Sequence, residues 1–378
     1  MFGVKVYSYD WRLVHNLHYE VASQWFHDHG IDFVIAQNRY VPMQDNAVPS
    51  AVSAAHETAL TRHDDAAWIA SLRHRGIQYW AACNVFFDPP ALRRFPDAVP
   101  VDRSGKPAQQ LDWYAGICPT HEPYLEDKIG QIAEAVRHLK PNGIHLGFMR
   151  FPGFWELWLP QTRRDDHPEY CFCPRCCERF AKWLGDDIPK THRDKPWKWA
   201  TQKRVYDHFV DWKTDVVKAI IARIRRTIHS IAPDVPIMLN TLPFCPDDFE
   251  RAGREVFAQD WHKLASAVDA FEVMTYHQIL ARDVEWIGRV VRCVKSCVEK
   301  PVVSTIQANP LYLHGIHAES GRRPTLPPEE FREAIAAAQA AGAEHVVLFT
   351  WDDLLSAPGD ISAARKLDAI RRVRESRR

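Results

Sequence analysis

The chain has 378 residues, 46% of them hydrophobic, and its 48 Lys plus Arg balance 48 Asp plus Glu, so no overall field favours nucleic acid or an anionic membrane. No apolar run approaches the roughly 18 to 20 residues that span a bilayer, and Met1-Phe2-Gly3-Val4-Lys5-Val6-Tyr7 lacks the cationic and long apolar regions of a secretory leader. The nine cysteines are an odd number, and Cys83 and Cys293 stand singly in apolar segments, which predicts reduced thiols and a cytoplasmic location.

In chain order, eight short β-rich segments are expected as strands: Val4 to Tyr9, Phe33 to Ala36, Tyr79 to Phe86, Gly143 to Arg150, Pro236 to Asn240, Phe271 to His277, Val302 to Gln307 and His345 to Trp351. Amphipathic runs separate them, among them Glu20 to His29, Asp65 to Arg75, Tyr124 to Leu139, Gln202 to Ile231, Val284 to Val298 and Pro328 to Ala341, and Ile361 to Arg374 closes the series. Strand and helix alternating eight times predict an α/β fold, a single (β/α)8 TIM barrel over residues 1–378. An open nucleotide-binding sheet would carry a Gly-rich loop after its first strand; here the chain reads Asp10-Trp11-Arg12, and no organic cofactor is expected. The largest excursion, 152–200, follows the fourth strand and falls among the loops of the catalytic face.

The fourth strand and its exit read His145-Leu146-Gly147-Phe148-Met149-Arg150-Phe151-Pro152-Gly153-Phe154-Trp155-Glu156, the sixth ends Met274-Thr275-Tyr276-His277, and the eighth ends Thr350-Trp351-Asp352-Asp353. In these three strands the sequence resembles chitinase-like and related glycosyl hydrolase barrels. The resemblance implies a carbohydrate ligand, with Trp351 as the floor of a sugar subsite. Where such relatives place acids on the fourth strand, this chain has His145, Gly147 and Met149.

Glycosidic hydrolysis uses two carboxyl groups, one protonated to release the leaving oxygen and one ionised. The carboxylates expected at strand ends are Glu156, Asp10, Asp352 and Asp353. Glu156 lies among Phe154, Trp155, Leu157 and Trp158, an apolar setting that raises a carboxyl pKa as a general acid requires. Its bland alternative is a loop ion pair with Arg150 or Arg163, and Asp10 serves equally as a helix cap. Asp352 and Asp353 are neighbours, so one reaches a ligand while the other caps a turn. Glu272, near the start of its strand, reads as structural. Asn38, Arg39, Asn84, Arg150, Asn240, His277, Gln307 and Asn309 fall at strand ends beside Tyr276, Trp155 and Trp351, the mixture of polar groups and aromatic faces that hydroxyl-rich ligands need. Arg39, Arg150 and His277 would also suit an anionic sugar.

Cys171-Phe172-Cys173-Pro174-Arg175-Cys176-Cys177 is the sharpest local pattern. Thiolates at this spacing can converge on a tetrahedral zinc ion, with Cys118 as the fourth ligand beside Cys171, Cys173 and Cys176, while Cys177 offers a competing choice. The stretch to Leu184 resembles the metal-binding segment of family 42 beta-galactosidases, which implies a closed structural site. The leading expectation is a glycoside hydrolase acting on an oligosaccharide or glycoside. The alternatives are a sugar-binding barrel without catalysis and a hydrolase using His145 and His277 to hold a metal.

Overall fold

The computed structural model describes residues 1–42, 58, 62–111, 113–310, 321–355 and 361–375. Eight parallel strands form a closed barrel in chain order: β1 Phe2–Val6, β2 Phe33–Ala36, β3 Gln78–Asn84, β4 Gly143–Gly147, β5 Ile237–Thr241, β6 Ala270–Met274, β7 Val302–Gln307 and β8 His345–Phe349. Pairing of Phe2 with Val346, Gly3 with Val347 and Val4 with Leu348 joins β1 to β8 and shuts the ring. The predicted (β/α)8 barrel is therefore what the chain builds. Helices over Tyr19–Asp28, Asp65–His74, Glu122–Leu139, Lys203–Ile231, Glu285–Cys297, Pro328–Ala340 and Ile361–Glu375 surround it.

Alternation along each strand sends one set of side chains to the helices and the other into the barrel. Val4, Val6, Val34, Ala36, Ile144, Leu146, Leu239 and Val273 belong to the large outer core. Phe33, Ile35, Ala82, Met238, Val303 and Val347 form a separate cluster inside the ring. Both faces are buried, which is why these strands read as nearly continuous apolar runs. The interior is filled to its limit. A Cβ on Gly143 would lie 2.3 Å from the Trp80 ring, so glycine is what lets that indole occupy the barrel.

Several strands stop short of their predicted carboxyl ends. Phe148 has a φ of 51°, in the left-handed region, and this turns the chain out of β4 before Arg150. The insertion after β4 carries the Pro174–Leu184 helix and packs on the Lys203–Ile231 helix. Phe172 stacks on Phe209 at 4.8 Å, and the buried Glu169 accepts from Lys213 Nζ at 2.5 Å and from the Tyr206 hydroxyl at 2.8 Å.

Candidate active site

Lys5, His145 and Glu272 each stand between apolar neighbours on β1, β4 and β6, and all three point into the barrel, fully buried. Lys5 Nζ lies 3.0 Å from Glu272 Oε1, and His145 Nε2 donates to Oε2 at 2.8 Å. Asn240 and Thr305 also donate to this carboxylate. Burial alone would raise the Glu272 carboxyl, but Lys5, His145 and Thr305 outweigh it and hold it well below the usual range. Burial lowers both Lys5 and His145, against the pull of Glu272. This charged set forms the floor beneath the barrel mouth.

Above the floor, the Tyr7 and Phe349 rings lie 5.3 and 5.7 Å from Lys5 Nζ. Tyr276 packs on Phe349 at 5.0 Å and Trp155 on Tyr276 at 5.9 Å. Asn84 sits over Gly147, where any Cβ would come within 2.2 Å of its Oδ1. The last inward positions of the strands are thus residues such as Asn84, Gly147, Asn240, Met274, Gln307 and Phe349. None is a carboxylate, so the acids missing from the fourth strand are not supplied by its neighbours' ends.

Glu156 lies in the short turn Trp155–Leu157, whose Trp155 packs on Tyr276. It is 4% exposed, and its Oε2 has no hydrogen-bond partner. Burial raises its carboxyl to about 7, partly opposed by Arg150, its own backbone and Arg322. Arg322 donates to the Glu156 carbonyl and to that of Ile279, pinning the turn against the loop after β6. The apolar environment expected from sequence is present, while Arg150 and Arg163 make no ion pair with Glu156: Arg163 turns to Asp166 at 3.3 Å.

The other expected acids lie near the ends of β1 and β8. Asp352 accepts from Ser8 Oγ at 2.6 Å, leaves Oδ1 buried without a partner, and is raised by burial. Asp10 is in the first turn of a short helix and its amide also meets Ser8 Oγ, at 3.0 Å. Asp353 is the turn-holder of the pair, accepting from the Thr350 amide and hydroxyl at 3.0 and 2.7 Å. Among the described residues no hydrogen bond or ion pair links Glu156 to these three.

Several expected binding residues are committed elsewhere. Trp351 requires correction as a platform. It is 0% exposed, with Phe26, Trp11 and Trp25 at 4.3, 5.5 and 5.7 Å, so neither face of the indole is open. His277 turns outward to Glu330 at 2.7 Å. Asn38 satisfies rim backbone, giving to Ala82 and accepting from Tyr40 and Val41, and Arg39 pairs with Asp65 at 2.8 Å. Gln307 bonds the Ile279 amide, Gln278 and the Asn309 carbonyl. Trp155 is itself buried. Of the others, Asn84 lies over Gly147, Asn240 donates to the Glu272 carboxylate, Tyr276 packs on Phe349 and Arg150 lies over the Phe148 ring. His145 and His277 are hydrogen-bonded to different carboxylates, Glu272 and Glu330, and build no metal centre together.

An apolar and aromatic group flanks Glu156, of which the sequence placed only Phe154 and Leu157 beside it. Phe87, Tyr114 and Phe154, with the half-buried Trp113, Phe148 and Leu157, form a cluster apart from the main core. Trp113 meets Phe87, Phe154 and Phe148 at 5.2, 5.7 and 6.1 Å, and Phe87 stacks on Phe148 at 4.7 Å. Part-exposed rings on the carboxyl face offer the surface that Trp351 does not. Phe148 was readable as a strand end; Trp113 lies between elements and carries no local signal. A surface cavity of about 390 Å³ opens at the opposite end of the barrel beside Asp32, Gly76 and Arg371, away from the face where barrels of this type place chemistry.

The cysteine pattern folds as expected. The sulfurs of Cys118, Cys171, Cys173 and Cys176 all lie within 4.8 Å of one another, buried, with Cys118 at 3.3, 3.7 and 3.5 Å from the other three. Tetrahedral zinc with Zn–S of about 2.3 Å separates its sulfurs by about 3.8 Å. The Cys176 amide donates to Cys173 Sγ at 3.4 Å, orienting that thiol. Cys177 turns away to the Phe172 carbonyl at 3.6 Å, which removes the competing ligand. The four thiols can hold one metal ion with no position left for water.

Comparison with known proteins bears on this geometry. No protein-family model matches the chain. A beta-galactosidase from Geobacillus kaustophilus is 21% identical over 194 residues, 45% of this chain and 27% of that protein. A GH42 beta-galactosidase from G. stearothermophilus superposes with a TM-score of 0.66 at 13% identity, covering 100% of this chain and 56% of that one. The PgaB (BpsB) glycoside hydrolase domain from Bordetella bronchiseptica gives 0.65 at 13% identity, over 97% and 98%. This chain shares the barrel fold of these solved structures. An alpha-L-fucosidase isoenzyme from Paenibacillus thiaminolyticus, at 0.62 and 15% identity, covers 99% of this chain and 49% of its own. The chain thus spans about a quarter of the curated relatives' length and about half of the galactosidase and fucosidase chains. Among the described residues no helix is long and apolar enough to cross a membrane.

Proposed function

We propose that this barrel hydrolyses a glycosidic bond in an oligosaccharide or glycoside, with Glu156 as the general acid that protonates the leaving oxygen. The observation that carries the reading is a carboxyl group at the carboxyl face of the barrel, 4% exposed and raised to about 7, beside a part-open aromatic surface. Trp113 and Phe148 stack on the sugar ring, and Asn84, Asn240 and Tyr276 meet its hydroxyls. Asp352 or Asp10 supplies the ionised partner. The four thiolates bind zinc as a structural ion that braces the insertion, and the nine cysteines, all free thiols, suit a reducing cytoplasm.

A second reading, a carbohydrate-binding barrel without catalysis, is favoured by the strand ends, where Asn84, Gly147, Asn240 and Gln307 stand in place of acids. Glu156→Gln keeps shape and hydrogen bonding but cannot deliver a proton. It should lower release of reducing sugar from a glycan panel on the order of 10²-fold or more with little change in affinity. Near-parental turnover would remove Glu156 from the acid role. Sugar binding without any release by the wild type would establish the second reading.

A further inference from the structure

Arg150 is 2% exposed, yet its Nε and Nη1 have no hydrogen-bond partner. Its close companion is the Phe148 ring, 4.8 Å from the guanidinium carbon. Among the described residues no carboxylate forms an ion pair with it. Lys5, Lys128 and Lys213, equally buried, hold Glu272, Asp88 and Glu169 at 3.0, 2.7 and 2.5 Å. A buried cation without such a partner is costly unless a bound group supplies the charge. Glu156 acts on Arg150 from beyond contact distance, as does the Tyr114 hydroxyl. Arg322, 7% exposed and committed to the Glu156 and Ile279 carbonyls, brings a second guanidinium to the same carboxyl.

The Arg150 charge lies against Phe148, part of the aromatic surface proposed to hold the sugar. A guanidinium is matched in shape and charge by a carboxylate, which it recognises more specifically than an ammonium would. We infer that Arg150 is the receptor of an acidic-sugar subsite, and that the ring stacked against Trp113 and Phe148 carries a carboxylate, as a uronic acid does. The inference rests on the mouth being a glycoside site and narrows its substrate class.

Calorimetric titration of the full chain with methyl glucuronide and methyl galacturonide, against methyl glucoside, methyl galactoside and acetate, tests it. Either uronide should bind at least about tenfold more tightly than its neutral counterpart and than acetate, and Arg150→Gln should collapse the margin over the neutral sugar to within about twofold. Equal affinity of uronides and neutral glycosides in the wild type, or an undiminished margin in the variant, overturns the inference while leaving the glycoside site intact. Acetate binding as tightly as the uronides replaces it with a plain anion site. Binding of no glycoside overturns the inference together with the reading it rests on. A second readout separates folding from recognition. Removing an unpaired buried charge should raise the unfolding temperature of the ligand-free protein, whereas a fall would mean that Arg150 is already paired.

Discussion

Glu156→Gln also makes a stability test that needs no substrate. In the unfolded chain this carboxyl titrates near 4.5, and in the folded one burial raises it to about 7. Between those values the folded state keeps the proton and the unfolded state releases it. The wild type therefore loses stability as pH rises through this window, by about 1.4 kcal/mol for each unit of difference, or about 3 kcal/mol once pH exceeds about 8. Below about pH 4.5 the group is neutral in both states and contributes no such slope. Glutamine has nearly the same volume and no charge, so the variant should gain about 3 kcal/mol relative to the wild type between pH 4.5 and 8. Urea unfolding of both proteins at several pH values measures this as a change in midpoint at constant slope. A difference between the two proteins that stays flat with pH would mean that Glu156 titrates normally, and the argument for a general acid would lose its foundation.

Two further substitutions bear on the metal and on the core. Zinc should be found at about one per chain by elemental analysis of protein purified without chelator, and Cys176→Ser should lower the thermal midpoint while the folded fraction keeps its activity; absence of metal refutes this. Trp351→Ala should cost roughly 3 to 5 kcal/mol in stability, as for other large core truncations, without altering sugar affinity of the folded protein. A weaker affinity at unchanged stability would return Trp351 to the binding surface.

The barrel was legible because parallel strands buried on both faces announce themselves as short apolar runs between amphipathic helices, as Val302–Gln307 does. The four-thiol cluster was legible because three of its members are local in sequence. Strand exits were not. Alternation places a side chain only while the ladder lasts, and the chain leaves it at Gly147 and Phe349, so Arg150 and Trp351 could not be oriented by counting from their strands. Trp351 and His277 were placed on the ligand side for that reason. The Lys5–His145–Glu272 set did leave a signal, a single ionisable residue flanked by aliphatic or aromatic neighbours on each of three strands, but their convergence needs the closed ring. Trp113 joins Phe148 and Phe154 only through tertiary packing.

That charged floor also constrains the order of assembly. Lys5 and Glu272 are separated by nearly the whole barrel in sequence, yet neither can be dried without the other, since an unmatched buried carboxylate costs several kcal/mol. A partly built sheet of β4, β5 and β6 would hold Glu272 and His145 but no lysine, and would have to keep its hollow wet. Desolvation of the hollow is thereby tied to the arrival of β1, a contact of very high sequence separation and correspondingly slow to form. Expulsion of water from the interior and closure of the ring become one event, which makes the folded barrel cooperative across its full circumference rather than stable in halves.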